Sequence, residues 1–244
     1  MDLYEKYHSE PKLQKRIISD KNFTYRNLLD VLKNYLKSSK TILDIGCGVG
    51  TVDFYLASKG HRVTGIDISK TAISMARRNA EVFGVDDKTK FVAGNFPCPM
   101  IIGNYDLIVM AEVIEHLADD RMVLKETYNR LAKGGVLVLT TRSKNEVLYK
   151  LGLEKAHDKK VGHLRRYSII GLRKLASDSG FKILELKKGE GVFRDSLFVY
   201  PFPGKIIVKL ANRSGLLSDF LTFLDDMFLK LFGESQIYLV ARKC

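Results

Sequence analysis

The chain has 244 residues, of which 45% are hydrophobic and 28% charged, a composition typical of a globular protein with one α/β domain and added segments. Residues 1–11 are polar and no apolar run is long enough to cross a bilayer, which argues against a secretory leader or a membrane span, so we expect a cytoplasmic protein. The formal net charge of +12 would suit a nucleic acid, an anionic membrane surface or a phosphorylated substrate, or a lysine-rich solvated surface with no special partner.

The N-terminal part of the chain is predicted to be helical. Residues 4–37 follow a mostly helical pattern, and Leu28, Leu29, Leu32 and Leu36 form an apolar stripe just ahead of the first strand. We therefore expect a helix that packs against the domain that follows it.

A strand, a glycine turn and a helix follow in residues 41–51, T-I-L-D-I-G-C-G-V-G-T. The apolar residues of T-I-L-D-I predict a short buried strand, and Gly46, Gly48 and Gly50 predict a tight turn. A helical pattern then continues to Gly60. This combination is typical of the first unit of a nucleotide-binding α/β sheet, where bare backbone approaches a ligand at the carboxyl end of the strand.

Three residues indicate which nucleotide binds. The dinucleotide fingerprint needs a third glycine at position 51, where this chain has Thr51. Asp44 directly precedes the turn, and a carboxylate there disfavours a pyrophosphate but suits a cation. Asp67 ends the second predicted strand, where an acidic side chain can accept both hydroxyls of a ribose. The ligand is therefore expected to be a nucleoside that carries an amino-acid head group and a sulfonium.

Helices and strands alternate through the next part of the chain. Ser69 is predicted to cap a helix that ends at Gly84. Asp119 or Asp120 is predicted to start another helix, which continues to Gly134. The third, fourth and fifth strands are predicted at residues 90–93, 107–110 and 136–140.

Five blocks in this order resemble the class I S-adenosylmethionine-dependent methyltransferases. They are L-D-I-G-C-G-V-G at 43–50, G-I-D-I-S at 65–69, F-V-A-G-N-F at 91–96, Y-D-L-I-V-M-A-E-V-I-E-H-L at 105–117 and L-A-K-G-G-V-L-V-L-T-T at 131–141. The resemblance implies S-adenosylmethionine as cofactor and a Rossmann-like α/β fold, with a seven-stranded sheet whose seventh strand is antiparallel. It also implies an N-terminal helical lid, residues 1–40, ahead of an S-adenosylmethionine-binding domain, residues 41–244. Tyr4, Tyr7, Phe23 and Tyr25 are candidates either to line that lid or to pack on the sheet.

The same resemblance supplies candidate cofactor-binding residues. In the family, the turn after the third strand often carries an aspartate that hydrogen-bonds the adenine amine, with an apolar neighbour on the ring. This chain has Asn95 there, whose amide oxygen can accept the same bond. The full candidate set is Asp44, Gly46, Cys47, Gly48, Gly50, Asp67, Ile68, Asn95, Phe96 and Met110.

The block A-E-V-I-E-H-L after the fourth strand carries candidate chemistry. In a helical turn, Glu112, Glu115 and His116 would fall at i, i+3 and i+4 and share one face. Such a group could bind a divalent metal, could serve as base and orienting group, or could only cap and hydrogen-bond. The block looks like those of ubiquinone-type O-methyltransferases and of small-RNA 3′-terminal 2′-O-methyltransferases, in which equivalent residues hold a metal.

His163 lies in a long connection, residues 141–166, at the carboxyl end of the predicted sheet. We expect this loop beside the Glu112–His116 turn, with His163 as catalytic base, as fourth metal ligand, as substrate contact or as a structural hydrogen-bonding residue. The candidate catalytic residues are therefore His163, His116 and Glu112, and the candidate metal ligands are Glu112, Glu115, His116 and His163. Arg165, Arg166 and Tyr167 are expected to hold an anionic or sugar part of the substrate.

A helical insertion at 190–235 is predicted between the sixth strand, at 181–186, and the seventh, at 236–242. Residues 216–232 are unusually apolar, and helical spacing predicts one hydrophobic face. Its members are Leu217, Phe220, Leu221, Leu224, Phe228 and Leu231. This face would suit a lipid interface or lipid substrate, a homodimer, or packing on the domain. Its polar side is acidic, so attraction to anionic lipid would have to come from Lys205–Arg213 instead.

The sequence favours methyl transfer to a hydroxyl over transfer to an amine, because the Asp/Asn-Pro-Pro-Tyr type motif that grips an amine is absent after the fourth strand. We expect a small-molecule or lipid-linked hydroxyl substrate, with contact to a membrane surface and homodimer formation as open possibilities. An RNA 2′-O-methyltransferase, with nucleic acid as partner, and a non-catalytic binding protein that retains the fold are the alternatives.

Overall fold

The sheet of this protein has seven strands, seen in a computed structural model that describes residues 14–244. The strands are β1 Thr41–Ile45, β2 Arg62–Asp67, β3 Thr89–Ala93, β4 Tyr105–Ala111, β5 Leu131–Arg142, β6 Lys182–Lys188 and β7 Gln236–Arg242. Their order in the sheet is β3-β2-β1-β4-β5-β7-β6. Pairings β3–β2, β2–β1, β1–β4 and β4–β5 are parallel, and β7 runs antiparallel between β5 and β6. The predicted Rossmann-like α/β fold with an antiparallel seventh strand is confirmed.

Alternation along the central strands divides the apolar residues between two cores. Leu107 and Val109 point to one face of the sheet, and Ile108 and Met110 point to the other. Helices α1 Arg26–Leu36, α2 Thr51–Ser58 and α3 Lys70–Phe83 cover the first face, while α4 Asp120–Arg130 and α7 Ile169–Asp178 cover the second. Because both faces are buried, the central strands are continuous apolar runs.

Side-chain caps start three of these helices, two of them where the sequence predicted a cap. The Ser69 hydroxyl accepts a hydrogen bond from the Ala72 amide at 3.1 Å, and Asp119 and Ser168 cap α4 and α7 in the same way. Each oxygen satisfies an amide that has no partner within its own helix.

The start of β5 differs from its prediction. The helix was expected to reach Gly134, but α4 ends at Arg130, and Leu131 already pairs with Tyr105 of β4. The register then shifts, so that the next pair is Leu107 with Val136. Gly134 adopts a φ of 76°, and its amide donates to the Lys243 carbonyl, which ties this bulge to the C-terminal residues.

Two short helices and a three-helix insertion lie on the carboxyl side of the sheet. The loop after β5 contains α5 Val147–Lys150 and α6 Lys155–Val161. The insertion between β6 and β7 consists of α8 Val192–Val199, α9 Pro201–Ala211 and α10 Gly215–Phe232. It shares a third apolar cluster, built on Leu197, Ala211 and Leu221, with Phe23. No helix in residues 14–244 is long and apolar enough to cross a bilayer.

The aromatic residues expected at the lid have different surroundings. Phe23 is completely buried against the insertion, and Tyr25 packs at the edge of the first core. Tyr4 and Tyr7 lie outside the described residues. The division of the chain into a lid at 1–40 and a domain at 41–244 stays a prediction.

The predicted hydrophobic face of α10 is divided between the interior and the surface. Leu221 is buried together with Ser218 and Asp225, whereas Phe220 and Leu231 of the same predicted face are 56% and 72% exposed. The reason is polar: the Asp225 carboxylate accepts hydrogen bonds from the Gly191 and Arg194 amides at 2.9 and 2.7 Å and so fixes the rotation of the helix.

Arg194 connects the insertion to the N-terminal segment. Its guanidinium is fully buried, stacks on the Phe23 ring at 4.0 Å, donates to the Phe23 carbonyl and to the Thr222 hydroxyl, and lies 3.5 Å from Asp225. Burial raises the pKa of the neighbouring Glu190 carboxyl to about 7, against the opposing effect of Arg194. The guanidinium therefore compensates two buried acids.

Replacing Arg194 should therefore destabilise the protein strongly. We expect Arg194→Met to lower the free energy of unfolding by about 3–5 kcal/mol, because Asp225 and Glu190 lose their buried counter-charge. Urea unfolding followed by circular dichroism measures this. Arg121→Met is the matched control, since the Arg121 side chain is 70% exposed; equal losses in the two variants would contradict the assignment.

Candidate active site

The turn after β1 presents bare backbone at the carboxyl edge of the sheet. The Gly46 amide donates to the Ile66 carbonyl at 2.7 Å, which binds the turn to β2. A Cβ on Gly46 would lie 2.3 Å from a methyl group of Val113, and Gly50, with a φ of 83°, is the N-cap of α2. Only glycine fits this close approach and this left-handed conformation.

Asp67 faces this turn from the end of β2. One carboxylate oxygen accepts the Gly48 amide at 2.9 Å, and the other accepts the Ser69 amide at 2.8 Å. Each oxygen keeps a second lone pair, so the carboxylate is held in place and can still accept a hydroxyl. This is the arrangement that a ribose diol requires.

A second carboxylate lies beside Asp44. Asp53, in the first turn of α2, is completely buried next to Asp44, which is 5% exposed. Burial raises the pKa of both groups, that of Asp53 to about 7 despite its hydrogen bond with Asp44, while repulsion from Asp53 raises that of Asp44 further. A buried acid pair is stabilised by a proton or by a cation, which fits the cationic end of the expected ligand.

Sequence reasoning missed Asp53, although a signal was present. Every residue from Val52 to Ala57 is buried, and Asp53 is the charged residue among them. A carboxylate among buried residues directly after a glycine turn indicates a functional role and not a packing role.

The remaining cofactor candidates differ in accessibility. Asn95 is exposed after β3, Phe96 is half-buried against the second core, and Ile68 is 37% exposed beside Asp67. The Cys47 side chain is buried in the turn. Met110 is completely buried in the second core, so its side chain presents no surface to a ligand in this structure.

The acidic block after β4 does not form the predicted single helical face. A 3₁₀ turn begins only at Ile114 and includes Glu115 and His116. Glu112 precedes it with a φ of 56°, and its carboxylate accepts the Thr140 hydroxyl at 3.1 Å. A positive φ at a non-glycine residue costs about 1–3 kcal/mol and is typical of functional sites. Glu112 thus lies at the end of β4 but is separated from the pair that follows.

The loop carrying His163 does lie beside this turn, as expected. The Leu164 amide donates to the Glu115 carbonyl at 2.9 Å, and Nδ1 of His116 lies 3.2 Å from the Gly162 carbonyl. The two imidazole rings are 4.8 Å apart between centroids. Burial, together with the nearby His163, lowers the pKa of His116 to about 4, so its ring is neutral at physiological pH.

Asp158 orients His163. Its carboxylate lies 2.8 Å from Nδ1 of the His163 ring. Burial opposes ionisation of Asp158, but hydrogen bonds from His163 and Arg166 outweigh it and lower the pKa of Asp158 to about 2. A carboxylate–imidazole pair of this kind fixes the ring and stabilises its protonated form. Asp158, five residues before His163 in the loop, was not among the predicted residues.

Glu115, His116 and His163 could together hold a metal ion. One ligand atom from each lies within 4.8 Å of the others. Oε2 of Glu115 accepts the Thr141 hydroxyl, while its buried Oε1 has no hydrogen-bond partner among residues 14–244. Two imidazoles and one carboxylate are a known ligand set for zinc and iron, so these residues fit a divalent metal. Glu112 is not part of this cluster.

Arg165, Arg166 and Tyr167 are bonded inside the protein, contrary to the expectation that they hold substrate. Arg165 pairs with Asp120 at 2.9 Å, and the Tyr167 hydroxyl lies 2.7 Å from the same residue. Arg166 is buried among carboxylates, with Asp158 at 2.6 Å. Its other partners are Glu146 and Glu154, which also bind Arg142.

Comparison with known proteins assigns the family. A model of the methyltransferase domain matches residues 18–186 of the chain. The chain belongs to the class I S-adenosylmethionine-dependent methyltransferases. Within this methyltransferase family, the ubiquinone biosynthesis O-methyltransferase of Pseudomonas paraeruginosa is 29% identical over 112 residues, covering 46% of this chain and 48% of that protein. The chain thus spans about half the length of the curated relatives it matches.

Solved structures share the fold of this methyltransferase. The [4+2]-cyclase SpnF superposes with a TM-score of 0.65 at 17% identity, covering 99% of this chain and 92% of the cyclase. The N-methyltransferase NodS of Bradyrhizobium japonicum, in complex with S-adenosyl-L-homocysteine, superposes with a TM-score of 0.61 at 19% identity, covering 99% of both chains. These similarities establish the fold of the methyltransferase domain, not its acceptor.

The Asp44–Asp53 pair should make stability depend on pH. Because folding raises the pKa of Asp53 from about 4 to about 7, the folded methyltransferase binds the extra proton between these values and loses stability as pH rises through them. We expect Asp53→Asn to melt about 2–4 °C above wild type at pH 8, with a clearly smaller gap at pH 5. Differential scanning fluorimetry measures it. Asp87→Asn, at an exposed position, should show no such gap; a constant offset for Asp53→Asn at both pH values would refute the shared-proton pair.

Proposed function

We propose that this chain transfers the methyl group of S-adenosylmethionine to a hydroxyl group of a small or lipid-linked acceptor. The observation that carries the proposal is the Asp158–His163 pair, 2.8 Å between carboxylate and imidazole, beside Glu115 and His116 at the carboxyl end of the same sheet as the glycine turn. A hydroxyl is a poor nucleophile until its proton is removed, whereas an amine is not. An oriented base therefore favours a hydroxyl acceptor.

The chain's residues divide between the donor and the acceptor. Gly48 and Asp67 would hold the nucleoside, and Asp44 with Asp53 would neutralise its cationic end. His163 would take the acceptor proton on Nε2 as the hydroxyl oxygen attacks the methyl carbon and the sulfonium leaves as a neutral thioether. Asp158 would stabilise the imidazolium so formed. Glu112, at the end of β4, would accept a hydrogen bond from the acceptor.

A divalent metal is compatible with this proposal. Glu115, His116 and His163 are the residues that would hold it. His163 would then be a metal ligand and not the base, and Asp158 would orient its ring for that role. When bound, such an ion lowers the pKa of a coordinated hydroxyl.

The activities of related proteins support O-methylation without deciding it. The Pseudomonas paraeruginosa relative is a ubiquinone biosynthesis O-methyltransferase, whereas the structural neighbours include an N-methyltransferase and a cyclase. The chain's net charge of +12 would also suit an RNA substrate, so RNA 2′-O-methylation is the alternative that the labelling experiment below distinguishes.

The acceptor class can be found by transfer of a labelled methyl group. We expect the protein, incubated with S-adenosyl-[methyl-³H]methionine, to label a component of a membrane lipid extract or of its small-molecule fraction, and not total RNA. Label in RNA alone would reject the hydroxyl-lipid or small-molecule acceptor, and no label in any fraction would favour a non-catalytic binding protein. Thermal stabilisation by S-adenosyl-L-homocysteine but not by NAD is the control that the cofactor cleft is intact.

Substitution of the base should separate chemistry from donor binding. We expect His163→Gln to lower kcat at least 100-fold and Asp158→Asn about tenfold, with the Kd for S-adenosyl-L-homocysteine unchanged, because neither side chain belongs to the donor turn. His61→Gln is the control, since His61 bonds to the Ser39 carbonyl away from the site. Single-turnover kinetics give the chemical step.

Two outcomes of these assays would count against the assignments. Full activity of His163→Gln would remove the proposed base. Unchanged turnover after exhaustive chelation would reject the metal and support His163 as the base.

A further inference from the structure

The insertion carries an unusual share of exposed apolar side chains. Among the described residues, eleven of the twenty large hydrophobic side chains that are exposed lie on α8, α9 and α10 or directly between them. They are Phe198, Tyr200, Phe202, Ile206, Leu210, Leu216, Phe220, Phe223, Met227, Leu231 and Phe232. Scattered exposed apolar residues need no explanation, but a concentration of them marks an interaction surface.

Along α10 these side chains form a continuous stripe. Leu216, Phe220, Phe223, Met227 and Leu231 follow at intervals of four, three, four and four residues, which places them on one side of a helix over about 22 Å. They are 46–83% exposed. The buried hydrogen bonds of Asp225 prevent the helix from rotating this stripe inward. The stripe is therefore a fixed outer face of the fold.

The neighbouring helix adds positive charge beside the apolar surface. Lys205 and Lys209 lie on the exposed side of α9, next to Ile206 and Leu210, and the exposed Arg213 follows the end of this helix. With Arg16 they line an open depression of about 440 Å³. Within residues 14–244, Lys205, Lys209 and Arg213 form no ion pair. Their charge is available to a partner.

The acidic residues of α10 do not oppose this charge. Asp219 is neutralised by Lys21 at 2.7 Å and by Arg26 at 2.5 Å, and Asp225 is buried. Asp226 stays exposed, one helical turn from the exposed Lys230. Two of the three acidic side chains are thus paired or buried, and the insertion presents mainly apolar and basic groups.

The placement of the insertion relates this surface to the candidate active site. It joins the carboxyl end of β6 to the start of β7, at the sheet edge where β4 and β5 carry Glu112 and Thr140. Arg142, at the end of β5, forms an ion pair with Asp195 of α8. The end of β5 therefore contacts the first helix of the insertion directly.

We propose that the outer surface of the insertion, formed by the α10 stripe and by Lys205, Lys209 and Arg213 on and just after α9, docks on an anionic phospholipid membrane. Phenylalanine, leucine and methionine side chains insert at the boundary between the headgroups and the acyl chains, while lysine and arginine contact phosphate groups. A second copy of the chain is the weaker occupant, because a two-fold contact through this surface would bring the two basic clusters together. The surface does not depend on the proposed methyl transfer, since docking needs no substrate.

Vesicle co-sedimentation with the full chain tests the proposal. We expect binding to phosphatidylcholine vesicles that contain about one-third phosphatidylglycerol, much weaker binding to pure phosphatidylcholine, and loss of the difference at high salt. Absence of binding to anionic vesicles, or equal binding to both vesicles, would overturn it.

Two variants separate the apolar and basic contributions. Phe220→Ser/Phe223→Ser/Met227→Ser should lower the partition coefficient more than tenfold, and Lys205→Gln/Lys209→Gln/Arg213→Gln about 100-fold at low salt, or about fivefold for each charge. Val82→Ser/Ile170→Ser is the matched control, with side chains 68% and 81% exposed on other helices, and should bind as wild type.

Folding and self-association are measured on the same samples. Unchanged melting temperature and S-adenosyl-L-homocysteine affinity would show that a loss of vesicle binding belongs to the surface. Wild-type binding by both triple variants would overturn the proposal. A second result would also overturn it: no preparation binds vesicles, and analytical ultracentrifugation shows a wild-type dimer that the apolar variant does not form. The surface would then bind a second copy of the chain.

Discussion

The donor side of this protein depends on the hydrogen bonds that the Asp67 carboxylate accepts from the backbone. It receives the Gly48 amide of the turn after β1 and the Ser69 amide at the start of α3, so one side chain sets the positions of two connections. The Gly46 amide adds a bond to β2. Without these bonds the three left-handed glycines of the turn would be free to adopt many conformations, and the entropy cost of binding would rise.

A buried charge network plays the corresponding role on the acceptor side. Arg142 and Arg166 lie among Glu146, Glu154, Asp158 and Asp195, which belong to the loop after β5 and to the insertion. Four carboxylates face two guanidiniums, and burial raises the pKa of Glu146 to about 11, so the network retains a proton on that residue. Such a cluster adds little net stability. Breaking any one of its ion pairs would leave a buried charge without a partner, and this cost favours a single arrangement of the loop and the insertion.

The sequence predicted local features well because local residues determine them. The bounds of β7 follow from an apolar run, the start of α3 from the Ser69 cap, and the turn after β1 from its glycines. Three features depended instead on distant partners. The rotation of α10 follows from Asp225 bonding to α8, the conformation of Glu112 accompanies its bond to Thr140, and the burial of Asp53 follows from its place beside Asp44. Helical periodicity carries no information on such contacts.

This division between local and distant determinants coincides with the division between donor and acceptor. The donor turn is a local motif, and the fold it belongs to is shared with an N-methyltransferase and with a cyclase that differ from it in more than four of five residues. The acceptor side is assembled from a strand end, a loop some fifty residues further on and an insertion between the last two strands, which pack through polar contacts. Because one fold serves different activities, the fold alone does not determine reaction and acceptor, and the proposed function assigns that role to His163, Asp158 and their surroundings.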